Sequence, residues 1–160
     1  MELFNEDSFR PSPGKELRKL EGDTRIVLVS TASSDLSGSD FGEGLSPRSA
    51  TEFVQLTWRE RKIYVISRDI NGSSFDFIDV ATLDSEISEG WGVTADESTV
   101  DSSGYYQLYI SDGSEYIYKV DGDSLSVTGS IHVYDDSTDS YIDNLNELEY
   151  VDGHIYANVW

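Results

Sequence analysis

YYQLYISDGSEYIYKVDGDSLSVTGSIH, residues 105–132, sets three β-prone runs between two turn signals. Tyr105–Ile110, Tyr116–Val120 and Ser124–His132 alternate apolar or aromatic residues with polar ones, the period of a strand with one buried face. Asp112-Gly113 and Asp121-Gly122, which separate them, are pairs that tolerate the positive φ of tight hairpins. Working outward, the same pattern predicts strands at Ile26–Ser30, Thr51–Thr57, Lys62–Ser67 and Ser74–Val80 on one side. Leu148–Val151 and His154–Trp160 follow on the other. Asn71-Gly72, Ser103-Gly104 and Asp152-Gly153 supply further turns. Only Lys15–Glu21 carries enough helix-forming character for a turn or two, and Pro11, Pro13 and Gly14 break anything before it. Residues 1–24 therefore read as a flexible polar leader and residues 25–160 as an all-β domain.

A degenerate repeat overlies the strands. Gly42-Glu43-Gly44 precedes Phe53-Val54-Gln55-Leu56-Thr57-Trp58; Gly90-Trp91-Gly92 precedes Tyr106-Gln107-Leu108-Tyr109-Ile110-Ser111. Asn146-Glu147-Leu148-Glu149 precedes Ile155-Tyr156-Ala157-Asn158-Val159-Trp160. The spacing of roughly 50 residues suits one four-stranded blade of a β-propeller. In this reading each Gly-rich or polar motif is a turn that leads into an inner strand. A β-sandwich of similar short strands stays open.

Charge and composition narrow the chemistry. The formal net charge of -20 comes from 31 acidic residues against 11 Lys and Arg, and Lys119 is the only base after Arg68. Such a surface repels phosphate, which argues against nucleic acid. No apolar run is long enough to span a membrane, and Met1–Leu20 lacks the apolar core of a signal peptide. The absence of cysteine removes disulfides, thiolate catalysis and cysteine-held zinc. His132 and His154 lie in strand-like runs with no metal-binding spacing. Calcium is conceivable from the acid content, but Asp135–Asn146 lacks the turn glycine an EF-hand loop needs at its sixth position. Asn71-Gly72-Ser73 is a glycosylation sequon.

Several strings, in order, resemble the plant-type glutaminyl-peptide cyclotransferases. They are Phe41-Gly42-Glu43-Gly44, Gln55-Leu56-Thr57-Trp58, Glu89-Gly90-Trp91-Gly92-Val93-Thr94, Ser111-Asp112-Gly113-Ser114, Leu145-Asn146-Glu147-Leu148-Glu149-Tyr150 and Tyr156-Ala157-Asn158-Val159-Trp160. The resemblance covers about residues 40–160, and more faintly residues 27–38. It implies a five-bladed propeller that closes N-terminal glutamine to pyroglutamate, releases ammonia and uses no metal or other cofactor. It also implies work in the secretory pathway or outside the cell. This chain would then be an incomplete propeller of about three blades, because members of that family continue past the Asn-Val-Trp string. The continuation supplies a lysine and the strand that closes the ring. The family's opening-blade signature is not recognisable here, and a short insertion falls around Asp69–Ser74.

The reaction implied needs a group that takes a proton from the attacking amine and returns it to ammonia. The resemblance puts Glu43 in that role; by itself the residue reads as a surface glutamate between two glycines. Trp58, Trp91 and Trp160 are all the tryptophans of the chain. They are expected to line an aromatic cup around the substrate, with core packing as the plainer alternative. Asn146 is expected to hold the substrate's N-terminal end, or else to cap its turn. Asp112 with Gly113 most simply forms a hairpin turn, with a place around the site as the alternative; Glu147 and Glu149 are expected to orient neighbours or face solvent, and neither is assigned to proton transfer unless Glu43 proves not to carry it. The partner is a peptide or protein with N-terminal glutamine. Two other readings stay open: a decayed, non-enzymatic propeller fragment, and an acidic carbohydrate- or calcium-binding module.

Overall fold

The computed structural model describes residues 40–69 and 75–160. The expected leader, the strand at Ile26–Ser30, the turn at Lys15–Glu21 and the sequon at Asn71 lie outside them. Asp40–Trp160 gathers into one compact unit of sheets. β1 (Gly42–Pro47), β2 (Glu52–Thr57), β3 (Lys62–Arg68) and β4 (Phe75–Thr82) pair in sequence order as one antiparallel sheet. β5 (Val93–Val100), β6 (Tyr106–Ser111), β7 (Tyr116–Asp121) and β8 (Val127–His132) form a second sheet in the same order. After a small hairpin of β9 (Tyr134–Asp135) and β10 (Ser140–Tyr141), β11 (Leu145–Val151) pairs with β12 (His154–Val159). Consecutive up-and-down sheets, each starting at an inner strand, are the arrangement of a propeller. The described residues hold two four-stranded sheets and two of two strands, with no closed ring.

Alternation assigns the faces. Val54, Leu56, Ile63 and Val65 of the first sheet meet Val93, Leu108, Ile110 and Val120 of the second in one core. In β6 and β7 the intervening residues Tyr109 and Ile117 turn the other way and meet Leu145, Leu148 and Ile155 in another core. The second sheet is thus covered on both faces. Burial of one such aliphatic side chain is worth about 1.5–3 kcal/mol. A polar tie adds to the first contact: the turn residue Arg48 donates to the Gly122 carbonyl at 3.3 Å, and its own carbonyl accepts from Tyr106 N at 2.8 Å.

Two expectations fail on the inner strands. Gly42-Glu43-Gly44 and Asn146-Glu147-Leu148-Glu149 are not turns before strands; they are parts of β1 and β11. β5 had no predicted counterpart at all. Its first half is buried on both faces and its second half, Glu97–Val100, is exposed on both, so no period-2 signal exists. Glycine weakens a strand in general, but here it lets inner strands touch. A Cβ on Gly44 would lie 2.6 Å from Val93 N, and one on Gly92 would lie 2.3 Å from the Asn146 carbonyl oxygen. The expected hairpin at Asp152-Gly153 is present, with φ of 50° and 81°.

Candidate active site

The close glycine contacts build a layer across the three inner strands. Gly44 N donates to the Trp91 carbonyl at 2.9 Å, which binds β1 to the segment entering β5. Ser111 Oγ accepts from Gly92 N at 2.9 Å and donates to the Asn146 carbonyl at 2.7 Å, which binds that segment to β11. Glu43, Trp91 and Asn146 therefore stand beside one another on successive sheets. Strand register carries the repeat, which already matched Trp58 with Trp160, into the inner strands. Gly42 pairs with Thr57 and Leu145 with Val159, each followed by the same irregularity before Leu45 or Leu148. Glu43 thus corresponds to Asn146, and Trp58 to Trp160.

A carboxylate cluster occupies this layer. Glu147 feels both Glu149 and Glu43, and its carboxyl is pushed up to about 7, first by burial and then by those two charges. Much of the residue still faces solvent. The crowding that matters is at the carboxyl itself, and that local environment governs its titration. Beside it lies a cavity of about 140 Å³ between β1, β5 and β11, lined by Pro47, Val93, Ala95, Glu147 and Glu149 among others. It is below the ~300–1,000 Å³ usual for small-molecule pockets. Glu43, Asn146 and the tryptophans do not line it.

The tryptophans do come together. Trp58 Nε1 donates to Glu89 Oε2 at 2.6 Å and Trp91 Nε1 donates to the same oxygen at 2.9 Å. Phe41 meets Trp58 edge-on at 6.0 Å, and Trp160 meets Trp91 likewise at 6.0 Å. Arg59 lies over the Trp58 ring at 3.8 Å and reaches Glu89 Oε1 at 3.7 Å. Trp160 remains 75% exposed. The Trp91 ring rests on Gly113, where a Cβ would come within 2.7 Å of it and where φ is 81°. Only glycine suits that position on both counts.

Asp112 is buried and holds the turn that carries Gly113. It accepts from Ser114 N at 3.1 Å, from Ser88 N at 3.0 Å and from Ser88 Oγ at 2.9 Å. It thereby ties the segment before Trp91 to the β6–β7 turn. The histidines are engaged elsewhere: His132 stacks on Tyr116 and Tyr141 with Nε2 2.7 Å from Glu115, and His154 Nδ1 lies 2.9 Å from the Asp152 carbonyl. Sequence reasoning singled out neither Glu89 nor Phe41 nor Arg59. Each flanks or sits in a motif already marked, beside Gly90, Gly42 and Trp58, and that adjacency was the available signal.

A family model described as glutamine cyclotransferase matches residues 12–160. The chain belongs to the glutamine cyclotransferase family. It is 28% identical over 124 residues to the glutaminyl-peptide cyclotransferase of Arabidopsis thaliana, a match covering 75% of this chain and 32% of that protein. Among solved structures it is similar to the glutaminyl cyclase of Myxococcus xanthus, with a TM-score of 0.60 and 27% identity. That match covers 77% of this chain and 45% of the Myxococcus chain. The chain thus spans less than half the length of either relative. No helix among the described residues is long and apolar enough to cross a membrane.

Proposed function

We propose that this chain carries the glutamate, asparagine and tryptophan portion of a glutaminyl-peptide cyclotransferase site. The site works within a five-bladed ring that further chain completes, residues 25–160 giving about three of its blades. The observation that carries this reading is the layer in which the backbones at Gly44, Trp91 and Asn146 are tied across neighbouring sheets and the charge of Glu43 reaches Glu147. In the reaction the substrate's α-amine attacks its own side-chain amide carbon. A carbon–nitrogen bond forms, the bond to the amide nitrogen breaks, and ammonia leaves. The proton shed by the attacking nitrogen must reach the departing one.

Glu43 is the proton carrier, and Glu147 is its partner. Carboxyls this close do not all ionise readily, so a proton stays within the cluster near neutral pH. Trp58, Trp91 and Trp160 form the wall against which the glutaminyl side chain folds toward its ring-like conformer. Asn146 can donate to and accept from the substrate's N-terminal end. Asp112 and Glu149 support the site, the first by holding the turn under Trp91, the second by its charge beside Glu147. No step requires a metal or other cofactor, and a chelator should leave turnover unchanged. The family resemblance and the Asn71 sequon favour a secretory or extracellular setting.

The test follows ammonia release from a dipeptide with N-terminal glutamine, for this chain and for one extended through the remaining blades. Activity is expected in the extended form. Glu43→Gln, which keeps shape and loses proton transfer, should lower its kcat by about 10²–10⁴-fold. An unchanged kcat in that variant would remove Glu43 from the role.

A further inference from the structure

Glu89 opens the Glu89-Gly90-Trp91-Gly92-Val93-Thr94 string, but the proposed chemistry gives its carboxylate no role. One of its oxygens accepts from two indoles that belong to different sheets: Trp58 follows β2, and Trp91 precedes β5. The other oxygen faces Arg59, whose guanidinium covers the Trp58 ring. Glu89 itself enters by way of a short loop fixed at several points. Ser88 N and Oγ donate to Asp112, Gly90 N donates to the Trp58 carbonyl at 3.0 Å, and Arg61 donates to the Ser88 carbonyl at 3.0 Å. A Cβ on Gly90 would lie 2.5 Å from the Thr57 carbonyl oxygen, so the loop is drawn tightly against the end of β2.

We propose that Glu89 is the positioning residue of the aromatic wall: by accepting both indole N–H groups it locks Trp58 and Trp91 in one relative orientation. The inference rests on the cyclotransferase reading for what the wall holds, but not for the lock itself. An indole N–H has a single donor direction, so one shared acceptor fixes the rotation of both rings at once. Hydrogen bonds to an ionised acceptor are the stronger kind, which suits a partly exposed cluster that water would otherwise loosen. Glu89 acts through the rings and does not reach the reacting atoms. Its loss should therefore weaken substrate holding and leave the chemical step alone.

The experiment exploits the composition. All three tryptophans belong to this cluster, so emission excited selectively from tryptophan reads nothing else. Wild type, Glu89→Gln and Glu89→Ala are compared by emission maximum, acrylamide quenching and thermal midpoint, and the extended chain by KM and kcat on the glutaminyl dipeptide. Glu89→Ala should shift emission to the red and raise quenching. Loss of a charge-assisted hydrogen bond should raise KM about tenfold, with kcat within about twofold. Glu89→Gln keeps one acceptor oxygen and should fall between the two. Emission and quenching unchanged in both variants, while the midpoint shows them folded, would overturn the lock. So would a fall in kcat with KM unchanged. If the wild-type extended chain neither binds nor turns over the dipeptide, the cyclotransferase reading fails, while emission still decides whether Glu89 locks the rings.

Discussion

At the scale of single residues, Glu147 makes the sharpest demand on the surrounding chain. Its folded carboxyl titrates at about 7, well above an ordinary carboxylate, because burial and the charges of Glu149 and Glu43 oppose ionisation. Glu97 on β5 lines the same cavity and adds to the negative surroundings. For a raised carboxyl the folded state holds the proton more tightly than the unfolded one. Its contribution is complete below the unfolded value, near 4.5, and is lost as pH rises through about 7. Asp84, Asp96, Asp121 and Asp135 are held low and act oppositely, losing stability as pH falls. A difference measurement cancels them. Glu147→Gln is neutral at every pH, so its urea midpoint should match wild type at pH 4.5 and exceed it at pH 8. Equal differences at both pH values would show that Glu147 ionises without penalty. None of this was legible in the string Asn146-Glu147-Leu148-Glu149. The sequence marks the residues, but the third charge, Glu43, arrives from a strand about 100 residues away, and only the packing of inner strands brings it there. Glu89 was hidden for a similar reason, since Trp58, one of its two partners, comes 31 residues earlier in the chain, ahead of β3 and β4.

At the scale of elements, most outer strands were readable, whereas of the inner strands only the second half of β11, at Leu148–Val151, was. β2, β6 and β7 set more buried residues against less buried ones, and β3 and β12 were marked by their β-branched and aromatic residues rather than by a period-2 burial pattern. The inner strands violate both, because their glycines and acids answer to neighbouring sheets rather than to their own. Gly92 gives the clearest test. A Cβ there would meet only backbone, with the Asn146 carbonyl oxygen at 2.3 Å, Glu147 Cα at 2.7 Å and Leu148 N at 2.9 Å. Nothing in that list can rotate away, so β11 must shift as a unit. Gly92→Ala should cost about 1–3 kcal/mol, the range for overpacking a close contact. Gly129, in the outer strand β8, is the control. Its Cβ would meet nothing nearer than Lys119 Cδ at 4.0 Å, so Gly129→Ala should be neutral or stabilise by up to about 1 kcal/mol. Denaturant midpoints of the two variants decide the matter. Equal effects would mean that the inner strands are not pressed together as the glycines imply.

For the whole molecule the governing quantity is charge. A net -20 on 160 residues leaves most carboxylates facing other carboxylates rather than bases. Ion pairs among the described residues include Arg48–Glu52, Arg59–Glu89 and Lys62–Asp40, with His132–Glu115 counting only when the histidine is protonated. Added salt weakens both attraction and repulsion, so the sign of its effect depends on which is larger. Exposed pairs contribute about 0–1 kcal/mol each, and Asp40 is protected from screening by being buried. The unpaired acids repel across the whole surface, over a distance that shrinks from ~30 Å at 0.01 M salt to ~8 Å at 0.15 M. Repulsion therefore dominates, and the folded state should gain from screening because it packs the charges closer than the unfolded chain does. The thermal midpoint, followed by circular dichroism, should rise as sodium chloride goes from 0.01 to 0.15 M. Each kcal/mol gained corresponds to about 2–4 °C for a chain of this size. A flat or falling midpoint would mean that specific ion pairs outweigh the surface field. The same titration with calcium chloride at matched ionic strength separates general screening from a bound cation. Screening alone predicts overlapping curves, whereas a calcium curve that climbs and saturates at low concentration would revive the acidic binding-module reading of the sequence.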